Sequence, residues 1–254
     1  MEGVLAGRVA VVTGASAGIG AAVAGALAAA GMRVMLGARR ATQLETVCGE
    51  IRARGGDADF VVTDMRDEAQ IERLIASAVE QYGRIDAVVN NAAMGAVRTV
   101  ADGRVEEWRA ILETNVLGTL VACRAALRYM LPRGHGDILN VISPTAHEAW
   151  PYMAAYAASK AGIEALSRCL RAEVTGRGVR VMVLEVHNVG GTEAALHLDQ
   201  ELTPAAIQRW AELGLLNVNA PPLERSDVAR AVVFQLSQAD TASIHHLTIR
   251  PRAD

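Results

Sequence analysis

Short apolar runs alternate with helical stretches along almost the whole chain, and that alternation leaves few folds open. Residues 9–13, 33–36, 58–62, 85–89, 137–142, 179–184 and 247–249 read as strands, mostly β-branched or aliphatic and bounded by turn residues. Helical patterns fill the gaps at 19–30, 42–54, 67–82, 154–175 and 227–236, with one long or two consecutive helices over 105–131 ahead of Pro132. Asp67 stands where it can cap its helix, and Gly31 and Gly83 where they can stop theirs. Apolar strands joined through helices imply right-handed βαβ units and a parallel sheet covered on both faces. The predicted fold is therefore α/β, a doubly wound parallel sheet of Rossmann type. The 254 residues suit one domain, 1–254, and no linker divides them. The stretch 186–222 breaks the rhythm, with a short helix expected at 204–213. It is expected to form a substrate-binding loop or lid within the domain.

Composition narrows the function classes. A net charge of −3 carries no footprint for nucleic acid. Cys48, Cys123 and Cys169 lie far apart, which argues against a disulfide framework or a zinc site and fits a reducing cytoplasm. No charge separates Arg8 from Arg33, a length that could span a bilayer, but the run divides into a β-branched piece, a Gly-rich turn and an Ala-rich helix. Neither a membrane span nor a signal peptide is expected, and no second stretch reads as a span.

The turn is Thr13-Gly-Ala-Ser-Ala-Gly-Ile-Gly20, directly after the first strand. Gly14, Gly18 and Gly20 permit a tight turn and close backbone approach, and the following helix offers unpaired N–H groups to a pyrophosphate. Ser16 either donates to phosphate or caps the helix. The second strand runs into Ala38-Arg39-Arg40. NAD sites place a carboxylate near this point for the ribose 2′-hydroxyl. Guanidiniums instead suit a 2′-phosphate, so NADP(H) is the expected cofactor.

Of the 25 basic residues, 24 are Arg, and the one Lys is Lys160. It follows Tyr156 by four positions on a helix, so the two side chains share a face. An ammonium there is expected to stabilise a phenolate and draw the tyrosine pKa toward neutrality.

These features resemble the short-chain dehydrogenase/reductase family. Its first motif has the spacing of Thr13–Gly20. Asn90-Asn91-Ala92-Ala93 matches its Asn-Asn-Ala-Gly with one replacement, and Tyr156-Ala-Ala-Ser-Lys160 matches its Tyr-x-x-x-Lys. Asp64, Asn115 and Ser143 fall at the family's spacing. The closing Leu247-Thr-Ile-Arg-Pro251 loosely resembles the subgroup with hydroxy-amino-acid dehydrogenases and clavulanate-aldehyde reductase.

The resemblance implies strand order 3-2-1-4-5-6-7, a homodimer or homotetramer, and reversible hydride transfer between NADP(H) and a small carbonyl or alcohol substrate. It implies catalysis by Asn115, Ser143, Tyr156 and Lys160. Tyr156 would protonate the carbonyl, Ser143 polarise it, Lys160 hold the nicotinamide ribose, and Asn115 position a relay water. It assigns the dinucleotide to Gly14, Ser16, Gly18, Ile19, Gly20, Arg39, Arg40, Asp64, Met65, Asn91, Tyr156, Lys160 and Val189. The chain departs from the family after the sixth strand, where Val186-His187-Asn188-Val189-Gly190-Gly191-Thr192 replaces a Pro-Gly segment and Thr192 is displaced by one residue. Substrate contacts are expected from Ser143, Thr145, Trp150, His187 and Trp210, with Met94, His147 and Met153 nearby. His245-His246 reads as a strand or subunit-contact feature, and no metal is expected. Imine reduction, epimerisation or dehydration on the same fold is the alternative chemistry. A non-catalytic nucleotide sensor is disfavoured by the intact Tyr–Lys pair.

Overall fold

The computed structural model describes residues 4–191, 202–217 and 220–252. Its strands are β1 Val9–Thr13, β2 Arg33–Ala38, β3 Asp57–Val62, β4 Ala87–Asn90, β5 Gly136–Ile142, β6 Val179–Val186 and β7 His246–Ile249. They form one parallel sheet in the expected order β3-β2-β1-β4-β5-β6-β7. The winding reverses between β1 and β4, the switch point where open α/β sheets bind ligands beyond the carboxyl ends of their strands.

Side-chain alternation along β1 shows how the sheet is covered. Ala10 and Val12 face a core shared with Val23 and Leu27 of α1 (Gly18–Ala29), Leu44 of α2 (Ala41–Ala53) and Val232 of α8 (Arg225–Leu236). Val9 and Val11 face the opposite core, built with Leu74 and Ile75 of α3 (Glu68–Tyr82), Met130 of α5 (Gly118–Arg133) and Leu170 of α6 (Ala154–Glu173). Asp67 caps α3 by accepting from the Gln70 N–H, and Gly83 ends it in the left-handed region at φ 77°.

Several expectations need correction. Of the two arrangements expected over 105–131 the consecutive one is found, α4 (Val105–Leu112) and α5 joined by a π-helical turn (Glu113–Leu117), but α5 does not stop ahead of Pro132 and runs through it to Arg133. A proline in the last turn interrupts little of the hydrogen-bond ladder, and Gly134 at φ 61° makes the stop. This continuous segment, Val105–Arg133, is long and apolar enough by length and composition to cross a membrane, which the sequence reading overlooked. Half of its most apolar window is buried, and α5 lies against the sheet through Ala126 and Met130. By contrast α1, inside the run between Arg8 and Arg33, has only 12 residues. Strand β6 extends two residues beyond Leu184 because Glu185 and Val186 pair with Thr248 and Ile249 of β7. Helix α7 (Leu202–Glu212) begins before the expected 204.

The amino edge of the sheet carries two buried carboxylates. Asp86 accepts from the Val9 N–H at 2.9 Å and from Arg84 at 2.6 and 2.7 Å, with Arg133 at 3.2 Å. Asp137 accepts from Arg180 at 2.6 and 2.9 Å and from Arg8.

Candidate active site

The phosphate loop is held by the strand beside it. Thr13 Oγ1 accepts from the backbone N–H of both Asn91 and Ala92 at 3.1 Å, and Asn91 Nδ2 donates to the Thr13 carbonyl at 2.9 Å. This pinning brings β1 and β4 so close that a Cβ on Gly14 would lie 2.8 Å from Ala92 Cα, and one on Gly20 would strike the Gly14 carbonyl. Gly18 has open space around it but needs φ 59°, so its glycine serves the backbone. The N-cap of α1 is Ala17, without a side-chain cap. Ser16 therefore does not cap the helix. Its Oγ accepts from Arg40 Nη2 at 3.0 Å, tying the phosphate loop to the end of β2. Ile19 lies in the first turn of α1, half-buried against the core.

Arg39 is exposed beside this junction. Asp64, after β3, is forked by Arg66 at 2.6 and 3.1 Å, and that bond, helped by the charge of Arg39, holds its carboxyl below the usual range despite partial burial. Arg66 is a third guanidinium at this mouth that sequence reasoning missed. Met65 is buried against Ile71 and Val121 and lies against Gly118, where a Cβ would meet its Cβ at 3.1 Å.

At the carboxyl edge of β5, Ser143 opens a 3-10 turn (Pro144–Ala146) and accepts from the Thr145 N–H at 3.4 Å. Tyr156 and Lys160 share one face of α6, with Lys160 Nζ 5.5 Å from the Tyr156 ring centroid. Lys160 is 3% exposed, and its ammonium donates to the Val141 carbonyl at 2.9 Å. No carboxylate among the described residues forms an ion pair with it, and burial lowers its pKa to about 8. Burial raises Tyr156 to about 12, opposed by a hydrogen bond from Ser143. The expected downward pull of Lys160 on the phenol is not seen in this arrangement, because burial dominates both groups. Gly95 permits the ring's close approach, since a Cβ there would lie 3.1 Å from Tyr156 Cδ2.

Asn115 occupies the π-helical turn, fully buried. Its Oδ1 accepts from the Met94 N–H at 2.8 Å, while Nδ2 donates to the Met94 carbonyl and to Ser159 Oγ, both at 2.9 Å. The side chain thus braces the loop after β4 against α6, one residue from Lys160.

The expected pocket residues divide. Trp150 and Trp210 meet at 5.3 Å between ring centroids, and Trp210 Nε1 donates to the Pro151 carbonyl at 2.8 Å. Thr145 is buried with its hydroxyl unpartnered. His187 instead turns to Glu185 at 3.0 Å, and His147 lies near Glu164 and Glu185. Val189 forms a parallel bridge with Leu223. That bridge is carried by the flanking residues, Gly190 N–H to Leu223 O at 3.0 Å and Leu223 N–H to Asn188 O at 2.9 Å. The polar groups of Val189 itself therefore face away from Leu223. Thr192 and the rest of 192–201 lie outside the described residues, as do 218–219.

A glycine cradle at the switch point, an uncapped helix start and a Ser–Tyr–Lys group beyond the strand ends define a dinucleotide-dependent oxidoreductase site. The short chain dehydrogenase family model matches residues 8–203, and the chain belongs to that family. It is 34% identical over 251 residues to the glycine betaine reductase ATRR of Emericella nidulans, covering 99% of this chain but only 19% of that much longer protein. A metagenomic short-chain oxidoreductase solved in complex with NADP shares 30% identity at a TM-score of 0.81, covering 99% of this chain and 100% of that one. A point variant of actinorhodin polyketide ketoreductase, solved with NADPH, shares 29% identity at a TM-score of 0.83, covering 98% of this chain and 97% of that one.

Proposed function

We propose that the chain is an NADPH-dependent carbonyl reductase that interconverts a ketone or aldehyde and an alcohol. The observation that carries this reading is the placement of Tyr156 and the buried Lys160 on one face of α6, with Lys160 Nζ 5.5 Å from the phenol ring, next to Ser143 at the carboxyl end of β5. Burial disfavours the phenolate, so Tyr156 enters the reaction as the protonated donor that carbonyl reduction requires. Ser143 polarises the carbonyl oxygen, and Tyr156 delivers its proton to the same oxygen. Lys160 lies where its buried positive charge can hold a ribose hydroxyl and favour the phenolate left behind. NADPH supplies the hydride when bound. Gly14, Gly18, Gly20 and the start of α1, with Ser16 and Ile19, take the pyrophosphate. Arg39 and Arg40 take the 2′-phosphate, Asp64 and Met65 flank the adenine, Asn91 holds the loop, and Val189 offers its backbone to the carboxamide. Asn115 fixes the loop after β4, and the lone pair left on its Oδ1 can receive a relay water. Thr145, Trp150, His187 and Trp210 form the substrate side. The NADP and NADPH complexes among the structural relatives support the cofactor choice.

We take the molecule to be a cytoplasmic homodimer or homotetramer. The support is family resemblance together with the exposed apolar Leu112, Leu117, Leu120 and Tyr129 along α4 and α5. Sedimentation measures the assembly. A carbonyl panel followed by NADPH absorbance, with NADH in parallel, tests the activity. Reduction of at least one ketone or aldehyde, faster with NADPH, is expected. Turnover confined to imines, or product formed without net NADPH oxidation, would replace it with imine, epimerase or dehydratase chemistry.

A further inference from the structure

A second polar cluster, of which the proposed reaction uses His187 alone, sits at the carboxyl end of β6. Glu185 is 8% exposed, yet the groups around its carboxylate are imidazoles. Its Oε2 lies 3.3 Å from His147 Nε2 and 3.2 Å from His246 Nε2, while Oε1 lies 3.0 Å from His187 Nε2. Glu164 Oε2, from α6, is 3.4 Å from the same His147 nitrogen. Among the described residues no Lys or Arg forms an ion pair with Glu185. A buried carboxylate is costly unless it is compensated.

The spacing resolves what completes the cluster. A tetrahedral Zn²⁺ with bonds of about 2.0–2.2 Å sets its ligand atoms roughly 3.3–3.5 Å apart. The two edges from Glu185 Oε2 fall at 3.2 and 3.3 Å. All three ligand atoms lie within 4.8 Å of one another, so the remaining edge closes with a small rotation of the exposed imidazoles. Two nitrogens and one carboxylate oxygen suit a borderline divalent ion, whereas Mg²⁺ and Ca²⁺ call for oxygen alone.

We propose that His147, Glu185 and His246 form a site for a zinc-class divalent ion, with the fourth position open to water or to Glu164. The ion clips the segment after β5, the end of β6 and the edge strand β7 together. His187, on the free Glu185 oxygen, orients the ligating carboxylate from outside the coordination sphere.

The test is equilibrium dialysis of the chelator-stripped full chain against ZnCl₂, with Co²⁺ as a spectroscopic probe. One Zn²⁺ per chain is expected, with visible absorption characteristic of four-coordinate Co²⁺. Zn²⁺ at roughly 100-fold over its Kd should raise the melting temperature by about 5–10 °C. His147→Ala and His246→Ala should each weaken Zn²⁺ binding at least about 10-fold and lose the thermal shift, whereas His245→Ala, one residue away, should keep both. Glu185→Gln preserves shape but removes the ligating charge, and should also weaken binding while circular dichroism stays native. Absence of stoichiometric binding, binding unchanged by both histidine substitutions, or equal loss in His245→Ala would overturn the site.

Discussion

The two edges of the sheet treat buried charge in opposite ways. At the amino edge, burial alone would raise the Asp86 carboxyl, but Arg84, the Val9 N–H and Arg133 more than offset it and hold it low. Asp137 has Arg8 and Arg180. At the carboxyl edge Lys160 is as deeply buried, yet no carboxylate among the described residues answers it and its ammonium is destabilised. Nearby are the unpartnered Thr145 hydroxyl and the glycine cradle. A fold that satisfies its charges at one end and leaves them under-satisfied at the other marks where a ligand completes the set. On the proposed reading the amino edge serves stability and the carboxyl edge serves chemistry.

The sharpest way to break this contrast is Asp137→Ala. It strands two guanidiniums, and removing one partner of a buried pair costs about 3–5 kcal/mol. Urea denaturation should show that loss, while the Michaelis constants of the folded fraction stay put. Lys160→Met should do the reverse. Removing a buried charge whose folded pKa lies below its unfolded value should stabilise the cofactor-free protein by about 1–3 kcal/mol at pH 7 and abolish turnover. The sign follows from the direction of the shift. Below about pH 8 both states carry the proton and the penalty is full. As pH rises from about 8 toward 10.5 the folded state sheds it first, and the advantage of the variant should fade. Equal stability at every pH would mean that Lys160 carries no buried-charge penalty.

Two smaller effects sharpen the carboxyl edge itself. Arg39→Ala removes a charge-assisted contact to a 2′-phosphate, so NADPH should bind about 10- to 150-fold more weakly with NADH little changed. Equal losses in titrations of both cofactors would dismiss the 2′-phosphate assignment. His187→Ala should raise the substrate Michaelis constant about 2- to 12-fold, the value of one hydrogen bond, and leave the NADPH dissociation constant alone. The opposite pattern would make His187 a cofactor clasp.

What the sequence revealed and what it hid divide along the range of the interactions. The alternation of strands and helices, the glycine loop and the Tyr156–Lys160 pair rest on local patterns, with positions four apart on a helix being the plainest case, whereas the strand order followed from the family resemblance. The role of Ser16 could not be read that way, because its partner Arg40 comes from another strand's end, 24 residues on. Asn115 was placed by resemblance, but its bonds to Met94 and Ser159, at separations of 21 and 44, lie beyond any local pattern. The helix through Pro132 misled because a proline reads as a stop, yet costs little in a final turn. His147, Glu185 and His246 come from three segments, so no spacing rule could unite them. Burial also reversed the tyrosine expectation, since the pair's proximity is visible in sequence but its desolvation is not.

The measurement that bears most directly on the proposed chemistry is Tyr156→Phe, with NADPH affinity and single-turnover carbonyl reduction recorded on the same preparation. The substitution removes only the hydroxyl that donates the proton. NADPH should bind within about twofold of wild type while reduction falls at least about 10²-fold, the lower range for general acid–base catalysis. Reduction at the wild-type rate with NADPH still bound would contradict the assignment of Tyr156 as the proton donor.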